Sequence, residues 1–378
     1  MRRGRLVGLL VLALSSSAVA QGPSADWRTL STPHFRVHFP REFAAFARHT
    51  AESLESANPR VAERVGWAPA LPIDVIIRDP RAAANGAAVP WLDRPEIVVW
   101  AFPPDAESST GRFSDWVEVL SVHELAHVAH LGRPGTGPLG ALARFSPAPL
   151  GPLALRAPRW VFEGYATLIE GELTGSGRPG SVFRAMVVRR LALDDELPPY
   201  GKLSSTRGWL SGSLAYLVGS AYLEWLAERE GGDRLPELWR AMEEWRGFEG
   251  AFRSVFGGPP KDLYAAFVAD TKARALEEEK RLESAGLVEG DLWLRLKGGT
   301  ASVGVSPDGT KLLARRDASP RSSVLSVWEI AGYATEAPPR WTLPRANGFS
   351  ASDPRWMPDG RDALFARRAP GADGALIW

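Results

Sequence analysis

The sequence predicts an α+β domain, mixed strands first and mainly helices after, followed by a short run of repeated β-strands. Three observations predict it. Residues 27–100 contain short runs rich in β-branched and aromatic residues. Between Trp116 and Leu282 five stretches carry apolar residues at helical spacing. From about Leu292 two Pro-Asp-Gly units, at Pro307 and Pro358, recur 51 residues apart, each between apolar runs. The expected division is a leader over residues 1–20, a first domain over 24–285 and the β repeats over 290–378.

The leader reads from its three parts. Arg2, Arg3 and Arg5 form a basic start, Leu6 to Leu14 a short apolar run, and Ala18-Val19-Ala20 a small-x-small cleavage pattern before Gln21. The apolar run is far shorter than the roughly 20 residues a spanning helix needs, and no other segment is long and apolar enough. The expected location is therefore outside the cytoplasm, periplasmic or extracellular in a bacterium. Losing the leader removes three arginines and takes the formal net charge from +1 to about −2. A near-neutral chain has no electrostatic footprint for nucleic acid. The absence of cysteine rules out a lipid anchor at the cleavage site and thiolate metal sites, leaving His and carboxylate as the strong ligands.

Trp27 to Phe39 alternates like one strand, with Phe35, Val37 and Phe39 on one side. Its His34 and His38 read as a polar strand face, with a second metal site as the rival reading. Arg41 to Val65 follows as an amphipathic helical region, expected to break near Asn58-Pro59. Leu71 to Ile77 is a strand stopped by Asp79-Pro80. Ala82 to Val89 reads as a small-residue loop, and Glu96 to Trp100 as a strong strand.

Trp116 to Leu131 (WVEVLSVHELAHVAHL) is the stretch that carries chemistry. It reads as a helix capped by Ser114 or Asp115, and it holds three of the chain's six histidines. His123 and His127, at i and i+4, lie one turn apart on one face, from which both rings can reach one zinc ion at roughly 2.0–2.1 Å. Glu124 stands beside them, placed to take a proton from an attacking water. A metzincin pattern needs Gly and His at the positions held here by His130 and Arg133, so that branch fails. Gly132 to Pro158, rich in Gly, Pro, Ala and Leu, reads as an irregular insert: a wall or lid over the site, a membrane-touching loop, or a packed connector.

Arg159 to Gly171 (RWVFEGYATLIEG) reads as the next helix, with Pro158 at its start and Gly171 as its stop. Glu163 is a lone carboxylate in an apolar setting, costly unless compensated, and a metal is a compensation that fits. H-E-x-x-H followed by W-x-x-E-G-x-A resembles the gluzincin zinc peptidases, most closely the Peptidase MA-like family. The resemblance implies a zincin-like fold and Glu163 as the third zinc ligand beside His123 and His127. Thirty-five residues separate His127 from Glu163, more than in the thermolysin-type and alanyl aminopeptidase-type enzymes, and the Gly/Pro-rich insert accounts for the excess. The resemblance also implies that a strand just before the zinc helix, here Glu96 to Trp100, forms the edge that takes extended substrate; an internal strand is the other reading. Thr167 stands where thermolysin-type enzymes carry an Asp that steadies a zinc-bound His. A Thr hydroxyl can accept that bond, with Glu170 as reserve, although Glu170 reads more simply as a solvated helix end.

Ser211 to Glu230 reads as a helix bearing Tyr216 and Tyr222. The family resemblance extends here, and Tyr216 is the expected hydrogen-bond donor to the oxyanion, with both tyrosines as core residues in the plainer reading. Leu235 to Trp245 and Lys261 to Leu282 read as amphipathic helices closing the domain. The Pro-Asp-Gly repeats resemble blades of TolB-like β-propellers, with Val324 to Trp328 and Leu376 to Trp378 as matching outer strands. Two blades do not close a propeller, so more blades are expected beyond Trp378.

The sequence therefore points to an exported zinc metallopeptidase acting on peptide or protein substrates, an endopeptidase because no acidic motif near Asp93 and Glu96 resembles the amine-binding site of aminopeptidases. The alternative is an envelope binding or scaffold protein that meets a protein partner through the propeller, its zinc domain structural or degenerate. The intact Glu124 speaks against it, since a purely structural site has no need of a base.

Overall fold

The computed structural model describes residues 25–70, 72–79, 84–90, 94–104, 108–110, 113–133, 136, 157–206, 212–230, 234–244, 247–288, 290, 300–319, 322–330, 341–342, 350–368 and 375–377. The expected leader over 1–20 and most of the Gly132–Pro158 insert lie outside these residues.

Five strands open the chain: β1 (Trp27–Ser31), β2 (Phe35–Pro40), β3 (Ile73–Arg78), β4 (Gly86–Val89) and β5 (Glu96–Trp100). They form one mixed sheet in the order β1-β2-β3-β5-β4, in which β2, β3 and β5 run parallel and the outer strands antiparallel to their neighbours. Residues 27–39 are thus not one strand but a hairpin, turned at Thr32–His34. The Thr32 hydroxyl bonds the backbone of Phe35 there, at 3.3 Å to the carbonyl and 3.2 Å from the N–H. The alternation reads correctly in β2 and β3, where Phe35, Val37, Ile73, Val75 and Ile77 are buried and Arg36, His38, Asp74, Ile76 and Arg78 half-buried, whereas β5 is buried at Ile97, Val98 and Val99 alike.

Two further expectations are corrected. Glu96–Trp100 is internal, flanked by β3 and β4, and the edge belongs to β4, within the stretch that reads as a loop. Gly86-Ala-Ala-Val has no apolar alternation of its own, and pairing with β5 extends it. Helix α1 (Ala44–Val65) runs unbroken through Pro59. Its Ala47, Ala51, Leu54, Val61 and Val65 are buried in the core, which offsets the one lost backbone bond.

The remaining helices among the described residues are α2 (Trp116–Leu131), α3 (Arg159–Thr174), α4 (Val182–Leu193), α5 (Leu214–Arg229), α6 (Leu235–Glu243), α7 (Phe248–Phe256) and α8 (Pro260–Ser284), with 3-10 turns at Arg41–Phe43 and Tyr200–Lys202. Helices α4 and α7 have no counterpart in the sequence reading. No helix among the described residues is long and apolar enough to cross a membrane. Helix α3 outruns its expected stop at Gly171 and ends at Gly175, whose left-handed φ of 63° closes it.

After α8 come β6 (Thr300–Val305), β7 (Lys311–Ser319), β8 (Ser322–Glu329), β9 (Trp341–Thr342), β10 (Ser350–Trp356), β11 (Ala363–Arg368) and β12 (Ala375–Ile377). They form a four-stranded and a three-stranded antiparallel sheet. Leu313 and Leu325 are buried between them under Trp356 and Phe365, and the Trp356 indole donates to the Gly304 carbonyl at 3.0 Å. No closed barrel or propeller forms among the described residues.

Candidate metal centre

Helix α2 has the bounds its sequence predicts, and of the two candidate caps Asp115 is the one used: its Oδ1 accepts the Val117 N–H at 2.8 Å. Apolar on nearly every side, it is buried at Val117 and from Val119 to Leu131, as such a helix must be. Side chains such as Val122, Leu125 and Val128 each contribute roughly 1.5–3 kcal/mol by leaving water. That burial carries His123 and His127 into the interior, 6% and 7% exposed. Arg133, just past the helix, donates to the Val65 carbonyl at 2.7 Å and pairs with Glu243, tying α2 to α1 and α6.

Helix α3 packs against both α2 and α5. At the α3–α5 crossing the backbones touch. A Cβ on Gly164 would stand 2.8 Å from the Gly219 carbonyl carbon, and one on Gly219 would stand 2.7 Å from the Trp160 carbonyl oxygen. The glycine after Glu163 is thus a packing requirement. This contact sets Tyr216, one turn before Ser220, beside His123 with ring centroids 5.9 Å apart. The Arg159 and Arg178 guanidinium groups stand 5.2 and 4.6 Å from the Tyr216 ring centre.

The sequence-predicted ligands come together. Glu163 Oε2 is 3.2 Å from His127 Nε2 and 3.6 Å from His123 Nε2. Ligand atoms of the three residues all lie within 4.8 Å of one another. Glu163 Oε2 is buried and has no hydrogen-bond partner. The group can hold a metal ion.

The outer nitrogens are held as well. His123 Nδ1 is 2.8 Å from Glu170 Oε2, and His127 Nδ1 is 3.1 Å from His130 Nε2. With each Nδ1 engaged, each Nε2 faces Glu163. Glu170, far from being a solvated helix end, is fully buried; it also accepts from the Arg178 backbone N–H at 3.0 Å and from Arg178 Nη1 at 2.9 Å. Thr167 does not fill the supporting role, for its buried Oγ1 has no partner.

Charge is arranged around this set. Burial alone would raise Glu163, but the His123 and His127 rings outweigh it and hold the carboxyl far below its usual range. Burial opposes protonation of His123, yet Glu163 and Glu170 push it up to about 9 in the metal-free protein. Glu170 is kept low against burial, chiefly by Arg178 and His123. Glu124 moves the other way: burial raises its carboxyl despite the neighbouring histidines. Burial also raises the Tyr216 phenol.

A cavity of about 120 Å³ opens on this centre, lined among others by Gly86, His123, Glu124, Arg178 and Tyr216. Edge strand β4 forms one wall. A Cβ on Gly86 would stand 2.6 Å from Glu124 Oε1 and closer still to Leu120 Cδ1, so a larger residue there would have to displace those side-chain ends. Glu124 Oε2 is buried without a partner.

Other predicted residues stay apart. His34 binds Glu55 at 2.7 Å, whereas His38 contacts Thr29 at 2.9 Å and Asp74 at 3.3 Å, a polar strand face with no convergence. Tyr222 donates to the Pro260 carbonyl at 2.8 Å within the core. Arg159, Arg178, Gly86 and the part played by His130 at the site stand in no motif of the sequence. Helical spacing held one signal, since His130 lies at i+3 from His127 and Glu170 two turns from Glu163. No protein-family model matches this sequence, and no curated protein matches it.

Proposed function

We propose that this chain is an exported zinc metallopeptidase of the gluzincin type, hydrolysing peptide bonds within a peptide or protein substrate. One observation carries the reading: a buried carboxylate oxygen without a hydrogen bond faces two imidazole Nε2 atoms, beside a second buried carboxylate on a cavity. The 3.2 and 3.6 Å separations straddle the edge of about 3.4 Å of a tetrahedron with ligand bonds near 2.1 Å, as zinc prefers. Bound there, zinc supplies Lewis-acid polarisation and lowers the pKa of water.

The chain's own groups do the rest. His123, His127 and Glu163 hold the ion, and Glu170 and Arg178 steady His123. Glu124, made more basic by burial, takes the proton of the attacking water and delivers it to the departing nitrogen as the C–N bond breaks. Tyr216 stays protonated because burial raises it, and a protonated phenol donates to the developing oxyanion. The edge of β4, last in the sheet among the described residues and beside Glu124, offers backbone N–H and C=O groups to an extended peptide.

The test compares zinc content and hydrolysis of terminally blocked peptides for the wild type and Glu124→Gln. Stoichiometric zinc in both, with hydrolysis lost at least 100-fold in the variant, is the expected result. Zinc without hydrolysis in the wild type would favour the binding-protein alternative. A wild type without zinc removes the reading altogether.

A further inference from the structure

His130 is fully buried, one turn beyond His127 on the same helix, with ring centroids 5.4 Å apart and planes 24° from parallel. The Tyr165 and Trp239 rings enclose it, at 5.3 and 4.8 Å between centroids. A leucine or phenylalanine would fill such a place without burying polar atoms. His130 instead buries an Nδ1 with no hydrogen-bond partner, an arrangement that packing alone disfavours. What the imidazole supplies is its other nitrogen, 3.1 Å from His127 Nδ1.

Two ring nitrogens share a hydrogen bond only when one carries the proton and the other does not. His127 turns its Nε2 toward Glu163, and a nitrogen that ligates a metal carries no proton, so the His127 proton belongs on Nδ1. His127 is then the donor, His130 Nε2 the acceptor, and the proton of His130 is fixed on its own Nδ1. The two ligand histidines are therefore held by different chemistry. His123 is backed by the carboxylate of Glu170 and His127 by a neutral ring.

We propose that His130 is a positioning residue for the metal site, its Nε2 accepting the Nδ1–H of His127 and thereby fixing the ring orientation and tautomer of that ligand. The inference rests on the zinc reading above and goes beyond it in assigning a role to a side chain that touches neither metal nor substrate.

The test uses the full chain and zinc alone, with affinity read by chelator competition. His130→Phe keeps the ring and removes the acceptor, whereas His130→Gln places an amide oxygen near the Nε2 position. The expected result is a 10- to 100-fold loss of zinc affinity for the Phe variant, with the Gln variant restored to within a few-fold of wild type. A second readout needs no variant: ¹⁵N NMR of the zinc-loaded wild type is expected to show His130 protonated on Nδ1. Undiminished affinity in a folded Phe variant overturns the inference and leaves the zinc reading standing. So does an Nε2-protonated His130 in the zinc-loaded wild type, whether or not the Phe variant folds. A wild type that binds no zinc removes the zinc reading, and this inference with it.

Discussion

The candidate metal centre and the two Pro-Asp-Gly turns are both built around carboxylates, yet they are assembled on opposite length scales. At the centre, Glu170 serves His123 from 47 residues away and lies wholly buried. At the first turn, Asp308 Oδ1 accepts from the Ser306 hydroxyl at 2.6 Å and from Thr310 at 3.1 Å (backbone N–H) and 2.9 Å (hydroxyl). Asp359 repeats the pattern with the N–H groups of Arg361 and Asp362, at 2.9 and 3.2 Å. The turn's carboxylate is satisfied by the chain beside it, so its conformation is nearly independent of the fold. The centre's carboxylates come together with His123 and His127 only after helices α2 and α3 have packed. Substitutions should therefore spread from the centre through the first domain and stay confined at the turns.

The largest effect is expected where that packing is tightest. Gly164→Val puts a branched side chain where even a Cβ lies 2.8 Å from the Gly219 carbonyl carbon, and backbone cannot move aside as a flexible side chain does. Overpacking of this kind costs about 1–3 kcal/mol or more. It should also displace Glu163, its neighbour, so thermal stability and zinc affinity fall together. Gly250→Ala is the control: exposed on α7 with open space around its Cα, it should stabilise by up to about 1 kcal/mol and leave zinc binding unchanged. A Gly164→Val protein as stable as the wild type would show that the α3–α5 contact is looser than the geometry indicates.

A middle-sized effect tests the long-range carboxylate. Glu170→Ala removes the partner of His123 Nδ1 and takes from the half-buried Arg178 guanidinium its carboxylate acceptor. Zinc affinity, measured by chelator competition, should drop 10- to 100-fold, equivalent to about 1.4–2.8 kcal/mol. Amide exchange in β6–β8 should not change. If Thr167→Val produced the larger loss, the assignment of the supporting role to Glu170 would be wrong.

The same contrast of length scales explains how much the sequence discloses. His123, Glu124 and His127 are legible because one helical turn relates them, and α2 begins and ends where its own residues say. Both turns are legible because Asp-Gly chemistry is local. Glu163 is readable as a candidate, but its pairing with His123 and His127 comes from the family resemblance alone, since nothing in residues 159–171 says which helix they face. The choice between Thr167 and Glu170 follows spacing by analogy until packing shows which of them reaches His123. Strand β4 escapes notice because its pairing comes from β5 and not from its own small residues. Pro59 signals a break that the packing of α1 overrides. Helices α4 and α7 are short, and their role is visible only in what they pack on, α8 and α5 for α4 and α6 and α8 for α7.

The smallest effect belongs to the turns and sharpens the comparison from its local end. Gly309 and Gly360 have φ of 75° and 67°, in the left-handed region, and neither has a neighbour closer than 3.5 Å to the site of a Cβ. Alanine at either position therefore meets only backbone strain, about 1–2 kcal/mol. Exchange should quicken in β6 and β7 for Gly309→Ala and in β10 and β11 for Gly360→Ala, with zinc affinity unchanged. A pH titration gives the same local signature. The Ser306 hydroxyl, with the Thr310 backbone and hydroxyl, lowers Asp308 from 3.8 to about 2. A depressed carboxylate stabilises the folded turn above the unfolded pKa, and that contribution is lost as pH falls from about 4 through about 2. Protection in β6 and β7 should weaken over that window in the wild type. The part of the loss that traces to Asp308 should be missing from Asp308→Asn, which cannot titrate. If instead zinc affinity tracked either turn substitution, the repeats would be coupled to the centre, and the separation of local from long-range assembly would fail.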